Sequence, residues 1–319
     1  MQKILINVSW LLGLLFSYAV SASPPDRLYV FGDSLSDNGN LATLQQYDFL
    51  NHPPYAHGFS NGPRAVEVLA AQLALPLKPR YTFGCALGTP CELGTNYAFA
   101  GARAYDTGPT PRAPNLSEQV GLFLLDTYGA ADPQALYIVF IGGNDLRDAR
   151  NARSEADARN LIRLAVNAVG NNVRTLLKAG AQTVMVVNSG DLGAAPETRA
   201  LAVVKHQPSL IRRSTELTRK FNEALAESVH EIKEELHAGH LVAFDYFSFS
   251  RYLLQEYVAL GFTDNQGACF SSVTFTFYAG CNNGANFDQF VFFDEIHISA
   301  RIHERLGRAF YAVIPELAR

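Results

Sequence analysis

Leu28-Tyr29-Val30-Phe31-Gly32-Asp33-Ser34-Leu35-Ser36-Asp37 passes from four apolar residues straight into a glycine-bearing polar turn. An apolar run that short, closed by a turn, has the pattern of a strand buried on both faces. Its carboxyl end presents Asp33 and Ser34, and open parallel sheets place ligands at that end. A serine where a strand gives way to a turn has an accessible hydroxyl, and its own amide can face a developing oxyanion. Taken alone, the same turn reads equally well as an Asx or serine cap.

Outward from this strand the chain alternates. Helices are expected over 63–73, where Val66, Leu69, Ala70 and Leu73 share a face, and over 117–128, 155–177, 210–236 and 300–314. Strands are expected over 136–141, 183–187 and 241–244. Strands separated by helices of that length predict an α/β chain with a parallel sheet covered on both faces. Segments 39–61 and 75–114 lack periodicity and read as loops, and 261–290, rich in Asn, Gly and Phe, reads as a rim or lid.

The 319 residues are 48% hydrophobic and 18% charged, enough for a large core, and no linker divides them, so 23–319 is expected to form one domain. With 26 Lys plus Arg against 30 Asp plus Glu, the net charge of -4 offers no field for a phosphodiester backbone, and nucleic acid is not an expected partner. Residues 1–22 read as a signal peptide: Lys3, an apolar run from Ile4 to Val20, small residues at Val20-Ser21-Ala22, then Pro24-Pro25. A retained membrane anchor is the alternative, at the short limit for a span. An exported destination, periplasmic or extracellular, suits the four cysteines, for which local Cys85–Cys91 and Cys269–Cys281 disulfides are the simplest of three connectivities.

Two further clusters could carry chemistry. In Gly142-Gly143-Asn144-Asp145 the glycines permit a tight turn after a strand, and the Asn144 amide could donate to an oxyanion, although a helix cap is an equal reading. In Asp294-Glu295-Ile296-His297 the spacing can set a carboxylate behind an imidazole and fix its tautomer. Gly58-Phe59-Ser60-Asn61-Gly62 matches a lipase GxSxG pattern, but the preceding Pro53-Pro54 cannot lie in a central strand, so Ser60 is expected to cap a helix or line a groove. His303 is expected to be solvated, His237 and His240 to sit near a helix end, and His52 and His57 to rim the site. There is no HExxH, compact His/Cys set or nucleotide fingerprint, so neither metal nor cofactor is implied.

Four ordered blocks resemble the GDSL esterases, or SGNH hydrolases, over essentially all of 23–319: Phe31 to Asn40, Asn96-Tyr97-Ala98-Phe99-Ala100-Gly101-Ala102, Gly142 to Asp145, and Asp294 to His297. The resemblance implies a three-layer α/β/α fold with a central, mainly parallel sheet. It makes Ser34 the nucleophile, His297 the base and Asp294 its orienter, with Ser34, Gly101 and Asn144 forming the oxyanion hole. Within the family, the Phe59-Ser60-Asn61-Gly62 segment and the late cysteine loop look most like secreted phospholipases A, lysophospholipases A and glycerophospholipid:cholesterol acyltransferases. Phospholipid or lysophospholipid substrates, a sterol acceptor and interfacial membrane contact are the partners this implies. Aromatics at 244, 246, 247, 249, 252, 270, 275, 277, 278, 287 and 290 exceed what a core needs, as an acyl groove or interfacial patch would use. The alternatives are a carbohydrate O-acetylesterase, with a small polar pocket, and a non-catalytic secreted lipid-binding protein.

Overall fold

Four strands carry the central sheet of the computed structural model, which describes residues 24–81, 93–108, 113–238 and 240–317: β1 Leu28–Gly32, β2 Leu136–Phe140, β3 Thr183–Val187 and β4 Leu241–Phe244. They lie side by side in that order, all parallel, with Phe31 opposite Val139 and Val139 opposite Val186. β1 and β2 are buried at every position because both faces are covered. Alternate side chains separate two cores. Tyr29, Phe31, Tyr137, Val139, Val184 and Val186 face α2 (Leu116–Asp126), α3 (Gly143–Asn151), α4 (Glu155–Lys178) and α6 (Ser209–Leu236). Leu28, Val30, Leu136, Ile138, Met185 and Val187 face α1 (Ala65–Gln72), α7 (Tyr246–Gln255) and α8 (Ala300–Leu317). The chain is thus the expected three-layer α/β/α structure.

Local chemistry sets several helix starts. Asn115 accepts from the Glu118 amide, Ser154 from Asp157 and Asp245 from Ser248, each a side chain satisfying a free N–H of a first turn. Helices α3, α7 and α5 (Pro196–Val204) were not anticipated from periodicity. The reason is clearest in α3, whose buried side includes Asp145 and Arg150 as well as Leu146 and Ala149, so no apolar stripe marks it.

The 261–290 segment is more ordered than a bare loop. Its β5 (Asp264–Ala268) pairs in parallel with β8 (Phe290–Phe292), and β6 (Phe270–Ser271) pairs antiparallel with β7 (Thr276–Phe277). A Cys269–Cys281 disulfide closes the base of this hairpin, as expected. The proposed Cys85–Cys91 bridge and the 1–22 signal peptide lie outside the described residues. Among those described, no helix is long and apolar enough to cross a membrane.

Candidate active site

The carboxyl end of β1 is pinned before it delivers Ser34. Gln119 of α2, wholly buried, accepts from the Gly32 amide at 2.9 Å and donates to the Gly32 carbonyl at 2.9 Å. Asp33 then turns inward and accepts from the Leu35 amide at 3.0 Å, which leaves Ser34 half-buried at the tip of the turn. Burial pushes the Asp33 carboxyl up to about 6, against the Leu35 bond and the nearby His297 imidazole.

His297 sits on the turn between β8 and α8. Its Nε2 accepts from the Ser34 hydroxyl at 2.8 Å, and its Nδ1 donates to Asp294 at 2.7 Å from Oδ2 and 2.9 Å from Oδ1. The Asp294 Oδ1 also accepts from the backbone amides of Ile296, at 2.8 Å, and His297, at 2.7 Å. Asp294 is fully buried and His297 nearly so. The carboxylate therefore selects the tautomer whose Nε2 lone pair faces Ser34. Glu295, between them, points away: it accepts from Ser272 and the Tyr278 hydroxyl, while its carbonyl accepts from the Glu197 amide at 2.8 Å.

Asn144 lines the same cleft as Ser34, and the segment that carries Gly101 is fastened to the first block. Asp37, buried under the same turn, accepts from the Ala100 amide at 2.8 Å and from Gly39, Asn40 and Leu41, which locks the Asn96–Ala102 segment against the first block. Gly101 follows with φ +84° and, like Ser34, has an amide N–H with no hydrogen-bond acceptor among the described residues. Asn144 stands in the first turn of α3, behind Gly142 at φ +128°, where an added Cβ would lie 2.6 Å from Phe221. Its Nδ2 donates one hydrogen to the Ala102 carbonyl at 2.9 Å, and Arg147 donates to its Oδ1 at 3.3 Å, so the amide cannot flip and its second hydrogen remains free. Arg147 is itself held by Glu197 at 3.1 and 2.5 Å.

Ser34, His297 and Asp294 thus form one hydrogen-bonded line, a hydroxyl, a tautomer-fixed imidazole and a buried carboxylate, and Asn144 lines the same cleft as Ser34. Such a set can activate the hydroxyl as a nucleophile and stabilise an oxyanion. A mostly apolar cleft of about 100 Å³ opens beside Ser34, lined by Leu35, Leu192, Leu253, Ile296, Ile298 and Ile302 among others. No group of metal ligands occurs among the described residues.

Several expectations are corrected. His303 is not solvated: it is buried on α8, and its Nδ1 accepts from the Ala65 amide at 3.2 Å, because α8 turns this position against α1. Burial holds it well below the usual histidine range, hence neutral. Ser60 neither caps α1 nor lines the cleft; it is buried, and its Oγ accepts from the Gly62 amide. His52 and His57 pair with Asp48 and Asn51 on the exposed surface rather than rimming the cleft. Gln119, Asp37, Arg147 and Glu197 were missed. Each works through a partner far along the chain, and a single sequence carries no signal for such pairs.

Compared by sequence, residues 28–310 match the family described as GDSL-like lipase/acylhydrolase. The chain is 31% identical over 208 residues to Lipase 1 of Photorhabdus luminescens, covering 64% of this chain but 28% of that protein, so it spans under a third of that relative. It is 26% identical over 285 residues to acetylajmalan esterase 2 of Rauvolfia serpentina, covering 79% of this chain and 77% of the relative. Among solved structures it is similar to Est24, a carbohydrate acetylesterase from Sinorhizobium meliloti, at 16% identity and TM-score 0.46, over 91% of this chain and 99% of that one.

Proposed function

The chain belongs to the GDSL-like lipase/acylhydrolase family, and on that premise we propose that it is a serine esterase of fatty-acyl lipid esters, phospholipids and lysophospholipids. One observation carries the choice of substrate: the cleft beside Ser34 exposes mostly apolar surface, Leu35, Leu192, Leu253 and Ile302 included, with Arg147, Asp191 and Ser250 among its polar members, and such a surface suits an acyl chain better than a sugar. The hairpin above the site supports lipid contact, since Val273 is 78% and Phe275 53% exposed at its tip.

His297 takes the Ser34 proton as Oγ attacks the ester carbonyl. The oxyanion settles against the amides of Ser34 and Gly101 and the Asn144 side chain. Protonated His297, held by Asp294, returns its proton to the departing alcohol, leaving an acyl-serine. Water enters by the reverse path, and a sterol hydroxyl in its place would complete an acyl transfer. The Cys269–Cys281 disulfide supports export to an oxidising compartment, periplasmic or extracellular.

A second reading, hydrolysis of acetyl esters such as those on carbohydrates, is favoured by the small volume of the cleft, about 100 Å³, which is below that of a cavity able to hold benzene. The acetyl ester in the name of the Rauvolfia relative points the same way. A chain-length series from acetyl to palmitoyl esters, with lysophospholipid alongside, decides. Under the first reading kcat/KM rises with chain length and requires Ser34, whereas a maximum at acetyl assigns the second.

A further inference from the structure

The Gly58-Phe59-Ser60-Asn61-Gly62 segment supplies no nucleophile, yet it touches the site. The Phe59 ring lies on the His297 imidazole with centroids 4.8 Å apart and planes 18° from parallel. Phe59 is held in turn by Tyr55, edge-on at 5.9 Å, and Tyr55 packs edge-on against Phe293, the residue before Asp294, at 5.4 Å. Two residues on, the Asn61 Oδ1 accepts from the amide of Ala300, the first residue of α8, at 2.9 Å. Gly62 sits so close that an added Cβ would come within 2.8 Å of the Ala300 Cβ. Both ends of the turn bearing His297 are therefore fastened to this one segment.

We infer that Phe59 is a positioning residue for His297, acting in the reaction through its ring face. Asp294 fixes the imidazole in its plane but does not resist tilting about the Nδ1–Oδ2 line; a stacked ring does. The imidazole becomes a cation when Ser34 attacks, and a cation within about 6 Å of an aromatic centroid is attracted by the negative face of the ring. The attraction is absent in the ground state, so it favours the transition state and should appear in kcat rather than KM. Leucine at 59 would fill similar space without that face, whereas tyrosine would keep it.

The inference rests on the catalytic reading of Ser34 and His297, and the test separates the two. Phe59→Leu, Phe59→Tyr and Ser34→Ala proteins are compared by steady-state kinetics on a soluble p-nitrophenyl ester. The His297 ring protons are followed by NMR, assigned by their loss in His297→Gln. Phe59→Leu should lower kcat about tenfold with KM within about twofold, Phe59→Tyr should restore kcat to within about twofold, and the ring-current upfield shift on His297 should vanish only in the leucine variant. Wild-type kcat in Phe59→Leu, or equal losses in Phe59→Leu and Phe59→Tyr, overturns the inference. Undiminished activity in Ser34→Ala would overturn the catalytic reading instead.

Discussion

Replacing Asn144 with alanine isolates one donor of the proposed oxyanion site. Its amide has two hydrogens: one is committed to the Ala102 carbonyl at 2.9 Å, and Arg147, held by Glu197, keeps the oxygen end turned away at 3.3 Å. In the proposed mechanism the remaining hydrogen meets an oxygen that is neutral in the substrate and negative in the tetrahedral intermediate. Loss of one such donor costs about 3 kcal/mol in the transition state, so kcat should fall about 100- to 1000-fold with KM within about threefold. The Ala102 carbonyl loses a partner too, at about 1 kcal/mol of stability, which a folded domain tolerates. Asn144→Asp should be worse than alanine, since a carboxylate would repel both the oxyanion and the Ala102 carbonyl. The assay is kcat and KM on a soluble ester, with urea denaturation to confirm folding. A folded Asn144→Ala protein with kcat within about fivefold of wild type, or a rise confined to KM, refutes the reasoning.

Asp294→Asn keeps an oxygen for the Ile296 and His297 amides but turns an N–H toward His297 Nδ1, favouring the wrong tautomer; kcat should drop about 10⁴-fold with little change in melting temperature. Burial pushes Asp145 up to about 7 from 3.8, opposed by bonds from Ala104 and Tyr105. A carboxyl raised in the fold stabilises below its unfolded value and loses that contribution as pH rises through its folded one. Unfolding free energy should therefore decline by about 4 kcal/mol from pH 4 to 8 through this group, and Asp145→Asn should flatten the decline in urea titrations. The paired Cys269→Ser, Cys281→Ser change opens a loop with a sequence separation of 12 residues and should cost about 3 kcal/mol, read as a lower denaturation midpoint.

How much was legible varied with the range of the interaction. Strands β3 and β4 occupy the residues expected, Thr183–Val187 and Leu241–Phe244, because a continuous apolar run between polar breaks admits little else. The amphipathic helices α4 and α6 were placed within a residue at each end. Helix α3 escaped because Asp145 and Arg150 are buried by partners that only the fold brings near, Ala104 and Thr198. His303 was misread for the same reason, its neighbour Ala65 lying 238 residues away. Ser34, Asn144, Asp294 and His297 were singled out because four ordered blocks together resemble one family, whereas the turns at Ser34 and Asn144, taken singly, read equally well as local caps. The supports behind them, Gln119 on Gly32 and Glu197 on Arg147, are pairings across 87 and 50 residues that no local pattern encodes.

The most direct test of the catalytic assignment is covalent: treat the protein with a serine-reactive fluorophosphonate, digest it and locate the adduct by mass spectrometry. The expected result is one stoichiometric adduct on Ser34, formed in step with loss of esterase activity and absent in His297→Gln. An adduct on Ser60 or another serine, or full inactivation with Ser34 unmodified, would contradict it.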